Sequence, residues 1–186
     1  MKATHANEHY VFDKTHTVIR FDVSNFGVFD ITGVFSEYDG DFVFCADHPE
    51  NNRVSLTLYS RGIHDDSGQM DEELHGPHFF NTARFPRVNF SSMTVQLVDQ
   101  NDAYVTGNLT LLGVTKPVTF KVHFLARDSD SDGDGDSADY VVKFSASATI
   151  ERSDFGMSYL SPFIVGNDVH LYIEVKGVDK PSAQKN

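Results

Sequence analysis

The sequence predicts an all-β chain of antiparallel strands, and three observations carry that prediction. Residues 118–124 alternate without a break, with Val118, Phe120, Val122 and Phe124 on one side and Thr119, Lys121 and His123 on the other. Successive strand side chains point to opposite faces, so this is a strand with one apolar and one wet side. The same period of two recurs along most of the chain, and clusters of Gly, Pro, Asn and Asp interrupt it at intervals suited to hairpins. Finally, the apolar side is rich in Phe, with 16 in 186 residues. Many strands that share one apolar face must close on themselves or stack against a second sheet.

Taken in order, strands are predicted at 18–25, 28–38, 41–46, 53–59, 87–98, 103–112, 118–125, 140–151 and 168–176. In the first, Ile19, Phe21 and Val23 alternate with Arg20 and Asp22; in the fourth, Val54, Leu56 and Leu58 alternate with Ser55 and Thr57; in the last, Val169, Leu171 and Ile173 alternate with His170 and Tyr172. Turns are predicted at Asp39-Gly40, at 100–102, at 115–117 and at Gly166-Asn167. Within 88–97 the apolar parity slips from Val88 and Phe90 to Met93, Val95 and Leu97, and a bulge near Ser91-Ser92 restores a single face. The rhythm breaks at 70–83, where Met70 and Leu74 stand at helical spacing and Phe79-Phe80 follow Gly76-Pro77. One or two short helical turns capping the sheet are predicted there.

A chain of 186 residues and 20.8 kDa fits one domain. The formal net charge of -12 repels phosphate backbones and anionic membrane surfaces, which argues against nucleic acid as a partner. No apolar run approaches the ~20 residues of a membrane-spanning helix, and the opening Met1-Lys2-Ala3-Thr4-His5 lacks the apolar core of a signal peptide. A lone cysteine, Cys45, excludes an internal disulfide and leaves the compartment open; beside Asp47 it reads as a small structural residue.

Candidate chemistry outside the sheet is sparse. Asp128, Asp130 and Asp132, then Gly133, then Asp136 and Asp139 follow the order of ligands in a calcium loop, although Asp139 stands where a bidentate Glu is usual and the flanks are predicted strands. A solvated acidic loop explains the segment as well. His75-x-x-His78 is the closest histidine pair, without a third ligand in reach, and fits surface residues better than a metal centre. The carboxylate pairs Asp65-Asp66 and Glu72-Glu73 fall in loops, and no nucleophile elbow or phosphate-binding glycine loop is present. The chain is therefore read as non-enzymatic, with a hydrolase of lipophilic substrates a distant alternative. Its Phe-rich face leaves two readings open: side chains that fill a barrel, or the wall of a wider barrel that holds a lipophilic molecule.

Several ordered stretches resemble the YceI-like polyisoprenoid-binding family. They are Asp13-Lys-Thr-His16-Thr-Val-Ile-Arg-Phe21, Gly33-Val-Phe35, Phe79-Phe80-Asn81 with Phe85-Pro86-Arg-Val88-Asn-Phe90-Ser-Ser92, Gly107-Asn-Leu109-Thr-Leu111-Leu-Gly113-Val-Thr115-Lys-Pro117-Val118, Arg152-Ser-Asp154-Phe155-Gly156-Met157, and Val165-Gly166-Asn-Asp168-Val169. The correspondence covers residues 8–177. It departs at Asn25, where the family often has His, and at Met70-Asp71-Glu72-Glu73-Leu74, where Arg-Asp-x-His-Leu is usual.

The resemblance implies an extended, antiparallel, eight-stranded lipocalin-like barrel with short capping helices over 1–177, followed by a flexible tail at 178–186. It also implies a long polyisoprenoid, either a polyprenyl phosphate or pyrophosphate or an isoprenoid quinone such as ubiquinone, carried or stored in the lumen. The implied lining is Ile19, Phe21, Val23, Phe29, Ile31, Phe35, Phe42, Phe44, Leu56, Leu58, Phe79, Phe80, Phe90, Leu109, Leu111, Phe120, Val122, Phe124, Phe144, Ala146, Phe155, Met157, Phe163 and Leu171. Arg84, Arg152 and the 155–165 loop are expected at its mouth. A periplasmic or secreted location follows from the same resemblance, and the missing signal peptide leaves open that these residues were cut from a longer secreted protein. Oligomeric state stays open. The competing reading is a calcium-dependent extracellular interaction module whose barrel is filled.

Overall fold

The computed structural model describes residues 8–45, 48–129 and 140–179. Its strands are β1 (Glu8–Phe12), β2 (Val18–Asn25), β3 (Phe29–Phe35), β4 (Tyr38–Phe44), β5 (Arg53–Tyr59), β6 (Ile63–Asp65), β7 (Arg87–Leu97), β8 (Asp102–Leu111), β9 (Val114–Ser129), β10 (Tyr140–Glu151) and β11 (Val165–Asp179), with one short helix, α1 (Asp71–His75). Every pairing is antiparallel. The order β1-β4-β5-β7-β8-β9-β10-β11 closes through β1–β11 into an eight-stranded barrel.

Strands β2, β3 and β6 branch from the ring because β11 is long enough to serve two partners. Its end at Gly177–Asp179 pairs with β1, while Val165–Glu174 pairs with β2. β1 and β2 are thus two halves of one bent strand, interrupted by residues 13–17, and β3 with β4 repeats the arrangement. Asp13 organises the first break by accepting the Thr15 amide at 2.8 Å and the His16 ring at 2.7 Å, and the Tyr38 hydroxyl donates to the Thr17 carbonyl at 3.0 Å. Where β6 leaves the ring without a partner on its far side, α1 and the Phe79-Phe80 turn cover the gap, burying Leu74, Phe79 and Phe80. β9 spans 16 residues, about 50 Å at the rise of a strand, which makes the barrel elongated.

Several boundaries differ from the pattern reading for identifiable reasons. β1 was not predicted, since Glu8-His9-Tyr10-Val11-Phe12 begins too close to the chain's start for alternation to stand out. Asp39-Gly40 is a strand interior: Gly40 faces the Phe12 ring, which occupies the space its side chain lacks. The turn expected at 115–117 lies at Leu112-Gly113, both with positive φ, and Pro117 sits in β9 opposite Asn108. That proline is tolerated because β10 pairs with β9 only from Lys121 onward, so its missing N–H faces an unpaired edge. Gly166-Asn167 falls within β11, at a register shift against β2. The parity slip in β7 is a register shift between Ser92 and Thr94, where the Ser92 hydroxyl accepts the Val54 amide at 2.9 Å. β11 runs to Asp179, so Val178 and Asp179 belong to the barrel rather than to a tail.

Candidate functional site

Inside the ring, the inward faces surround a cavity of about 440 Å³, in the range of sites for small organic molecules. The barrel is therefore not filled, contrary to one of the two readings of the Phe-rich face. Three groups of rings line the wall. Phe42, Phe44, Phe124 and Phe144 pack edge to face or stacked at 5.6–5.8 Å near the β1 end; Phe90 and Phe120 meet at 5.1 Å in the middle; Phe21, Phe35 and Phe80 lie 5.8–6.1 Å apart toward α1. Such offset geometries suit the aromatic quadrupole.

The cavity persists because glycines face several of these rings. Phe21 lies over Gly33, Phe12 over Gly40, Phe90 over Gly107 and Phe42 over Gly177, each so close that a Cβ on the glycine would collide with the ring. A ring that rests in the gap left by a missing side chain lies along the wall instead of crossing the lumen. Ala146 and Ala148 on the inner face of β10 act in the same direction, since small residues leave space.

Of the residues expected to line the lumen, Ile19, Phe21, Val23, Ile31, Phe35, Phe42, Phe44, Leu56, Leu58, Phe79, Phe80, Phe90, Leu109, Leu111, Phe120, Val122, Phe124, Phe144, Ala146, Met157 and Leu171 border the cavity. Three do not. Phe155 is buried at the end of the 3-10 turn Arg152–Phe155, outside the cavity wall. Phe29 and Phe163 are at the surface, 71% and 88% exposed. Phe29 does share the inner face of β3 with Ile31 and Phe35, but it lies past the rim, where no facing wall remains.

The implied lining also leaves out several wall residues. Phe12 was missed with its strand, whereas Val54, Val105, Ile173 and Val175 follow the inward parity of strands that were correctly assigned. Arg127 had no sequence signal. Leu125, 56% exposed, keeps the outward parity of Lys121 and His123, and the register shift at Lys143/Phe144 then brings Arg127 to the inner side opposite Val142, where it pairs with Glu8. Arg53, Asn52 and residues 100–102 complete a polar, charged collar at this end.

The opposite end is organised by Arg152, which is 3% exposed. Its Nε donates to the Gly166 carbonyl at 2.8 Å, Nη1 to Met157 and Tyr159 at 2.7 and 2.8 Å, and Nη2 to Leu160 and Val165 at 3.0 and 2.8 Å. All five N–H donors are thereby used on backbone oxygens. Burial pushes this guanidinium below the ordinary arginine value. Arg152 does border the cavity, as expected of a residue at the mouth, but its donors are spent on the backbone of 157–166, which it holds from within. Arg84 lies over the Phe85 ring, its Cζ 5.2 Å from the ring centroid.

His75 Nε2 donates to the Ile63 carbonyl at 2.9 Å, and His78 stacks on Tyr159 at 3.8 Å, so the two face different partners. Among the described residues no three His, Cys, Asp or Glu side chains converge as a metal centre. Asp130, Asp132, Asp136 and Asp139 lie outside the described residues, and Asp128 falls near the end of β9. Cys45 is buried.

A closed antiparallel barrel with an elongated apolar lumen defines the class: a lipocalin-like barrel. More narrowly, the chain belongs to the YceI-like family, whose model matches residues 10–177. A UPF0312 protein of Enterobacter sp. (strain 638) is 34% identical over 176 residues, covering 93% of this chain and 88% of that one. The UPF0312 protein of Pectobacterium atrosepticum is 33% identical over 172 residues, covering 91% and 85%. Among solved structures, Burkholderia cenocepacia BcnA superposes with a TM-score of 0.78 at 17% identity over 89% of this chain and 98% of that one. A polyisoprenoid binding domain from Saccharophagus degradans, implicated in plant cell wall breakdown, superposes with a TM-score of 0.64 at 12% identity over 94% and 100%. At these identities the structural likenesses establish the fold.

Proposed function

We propose that the protein is a binding protein, not an enzyme, that carries or stores a long-chain polyisoprenoid in its lumen. The observation that supports this most directly is the cavity itself: elongated, walled by aliphatic and aromatic side chains, and kept open by rings resting on glycines. A transferred methylene contributes ~0.8 kcal/mol, so a few isoprene units nominally approach the practical affinity ceiling of about -18 to -21 kcal/mol before ordering costs. Few polar contacts are then required. The polyisoprenoid binding described for the Saccharophagus degradans domain is consistent with the same cargo class.

The head of such a lipid is a quinone or a polyprenyl phosphate. Net charge -12, the engagement of all Arg152 donors and the Arg127–Glu8 pair favour the neutral quinone over the phosphate. We place the protein in the periplasm or outside the cell, in line with its family. No helix among the described residues is long and apolar enough to cross a membrane.

Solvent extraction of purified protein followed by mass spectrometry should release an isoprenoid, and Leu111→Trp, which adds bulk to the lumen wall, should lower its yield. The reading fails if preparations from a lipid-competent host contain no apolar molecule and the delipidated protein also takes up neither ubiquinone nor a polyprenyl phosphate.

A further inference from the structure

We infer that the barrel end formed by the β2–β3 turn and residues 158–164 docks on an electrically neutral lipid surface. This rests on the reading of the lumen as a lipid site and names where the cargo is exchanged. The four most exposed large apolar side chains among the described residues are all here: Phe163 (88%), Val28 (74%), Phe29 (71%) and Phe26 (64%). The two segments are joined, since the Phe26 amide donates to the Ile164 carbonyl at 2.8 Å. A clustered apolar surface on a water-soluble face marks an interaction site, unlike isolated exposed side chains.

The turn itself shows that its Phe is not there for folding. Phe26 and Gly27 have φ of 53° and 65°, and the Val28 amide bonds back to the Asn25 carbonyl at 3.2 Å. Phe26 and Gly27 are the central residues of the turn that this bond closes, and positive φ at both favours Asn-Gly or Asp-Gly, whereas a bulky residue at the first position is strained. The chain holds Phe in this unfavourable backbone conformation and points most of its ring into solvent. Strain of this kind, kept where the side chain makes little internal contact, indicates a role outside the fold.

Charge identifies the occupant. Residues 23–29 and 155–167 contain no Asp, Glu, Lys or Arg, in a chain of net charge -12. Elsewhere that charge repels both an anionic membrane and a second copy of the protein; at this end the two segments present no fixed charge of their own, and of the carboxylates that flank them Asp154 is paired with Lys116 while Asp30 marks the margin of the apolar surface. The opposite end fits less well, because its exposed Leu97, Val98 and Leu125 are interspersed with Arg53, Asp99 and Asp102. The apolar track is also continuous with the cargo site. Phe29 extends the inner face of β3 one repeat beyond lumen-lining Ile31, so a lipid leaving a bilayer along it reaches the lumen without exposing its chain to water.

Flotation with phosphatidylcholine vesicles tests this. Wild-type protein should float with the vesicles, and Phe163→Ser and Phe26→Asn should each lower the partition coefficient roughly tenfold or more, the loss expected for one inserted ring. Phe26→Asn should at the same time raise Tm by a few degrees, because Asn suits the turn. A structural role would move stability and flotation together. Uptake of detergent-presented geranylgeraniol by the same proteins separates docking from cargo binding: normal uptake with lost flotation supports docking, and flotation without uptake would leave docking standing while the lumen reading fails. Docking is overturned if wild-type protein does not float, if Phe26→Asn and Phe163→Ser float as well as wild type, or if sedimentation shows the patch buried between two copies with no vesicle binding.

Discussion

Phe21 and Gly33 sit opposite one another on β2 and β3, and the ring fills the space where a side chain on residue 33 would be. Phe90 and Gly107, diagonal neighbours on β7 and β8, use a related device with a different steric outcome. At Gly33 the atoms that an added Cβ would meet all belong to the free end of the Phe21 ring, which can swing inward; at Gly107 the Cβ would stand 2.5 Å from both Phe90 Cζ and the backbone oxygen of Ser91. Backbone in a sheet does not give way easily. Gly33→Ala should therefore leave a folded barrel with a narrower lumen and reduced isoprenoid yield, whereas Gly107→Ala should lose about 1–3 kcal/mol of stability through overpacking. Denaturant melts and lipid extraction on the two variants check this; equal destabilisation of both would show that the rings do not move.

At the scale of an element, the 156–164 connection that leads from β10 into β11 has little regular structure of its own and is held from within, together with the start of β11, by Arg152. Gly156, at φ 86°, turns the chain after the 3-10 turn at Arg152–Phe155, and the guanidinium then gathers the five carbonyls that follow. Met has the length of this side chain but none of its donors. Arg152→Met should leave several buried carbonyls without partners and lower stability by about 3 kcal/mol or more. In a chain of this length that corresponds to a Tm fall of about 6–12 °C. Hydrogen exchange should show the loss first in the amides of 156–166; uniform exposure of all strands would place the role of Arg152 elsewhere.

For the whole molecule, acid is the revealing perturbation. Burial alone would raise the Asp13 carboxyl, but the His16 ring and the Thr15 and His16 amides outweigh it and hold the group below the ordinary Asp value. Asp65 is depressed first by the Ser67 hydroxyl, with the Met70 and Ser67 amides adding to the effect against burial. Asp13 ties β1 to β2, and Asp65 ties β6 to the turn that precedes α1, so both secure places where the barrel's strands break. A carboxylate with a depressed folded-state pKa contributes stability that is fully present above its unfolded value and lost as pH falls through the folded value. Stability should then be undiminished by these groups at neutral pH and decline below about pH 4. Circular dichroism melts from pH 7 to pH 2 should show this, and Asp65→Asn should be less stable at pH 7 with a shallower acid decline. An unchanged slope in that variant would exclude Asp65 as a contributor.

Alternation alone determined that the chain is all β, which residues face inward on most strands, and that β7 carries a bulge, because strand parity is a local property of the backbone. Parity could not say where a wall ends. Phe29 and Phe163 are apolar and, for Phe29, on the inward face, yet both stand beyond the rim, a position set by which strands lie opposite. Nor could it show that Asp39-Gly40 lies within a strand, since the Phe12 ring that fills that site comes from a different part of the chain. Arg127 faces inward through a bulge against β10, and Arg152 spends its donors on carbonyls five to fourteen residues away. The open lumen depends on the same kind of long-range fact. Whether a Phe fills a barrel or lines it is decided by whether the residue across the sheet leaves room for its ring, and only the folded register brings those residues together.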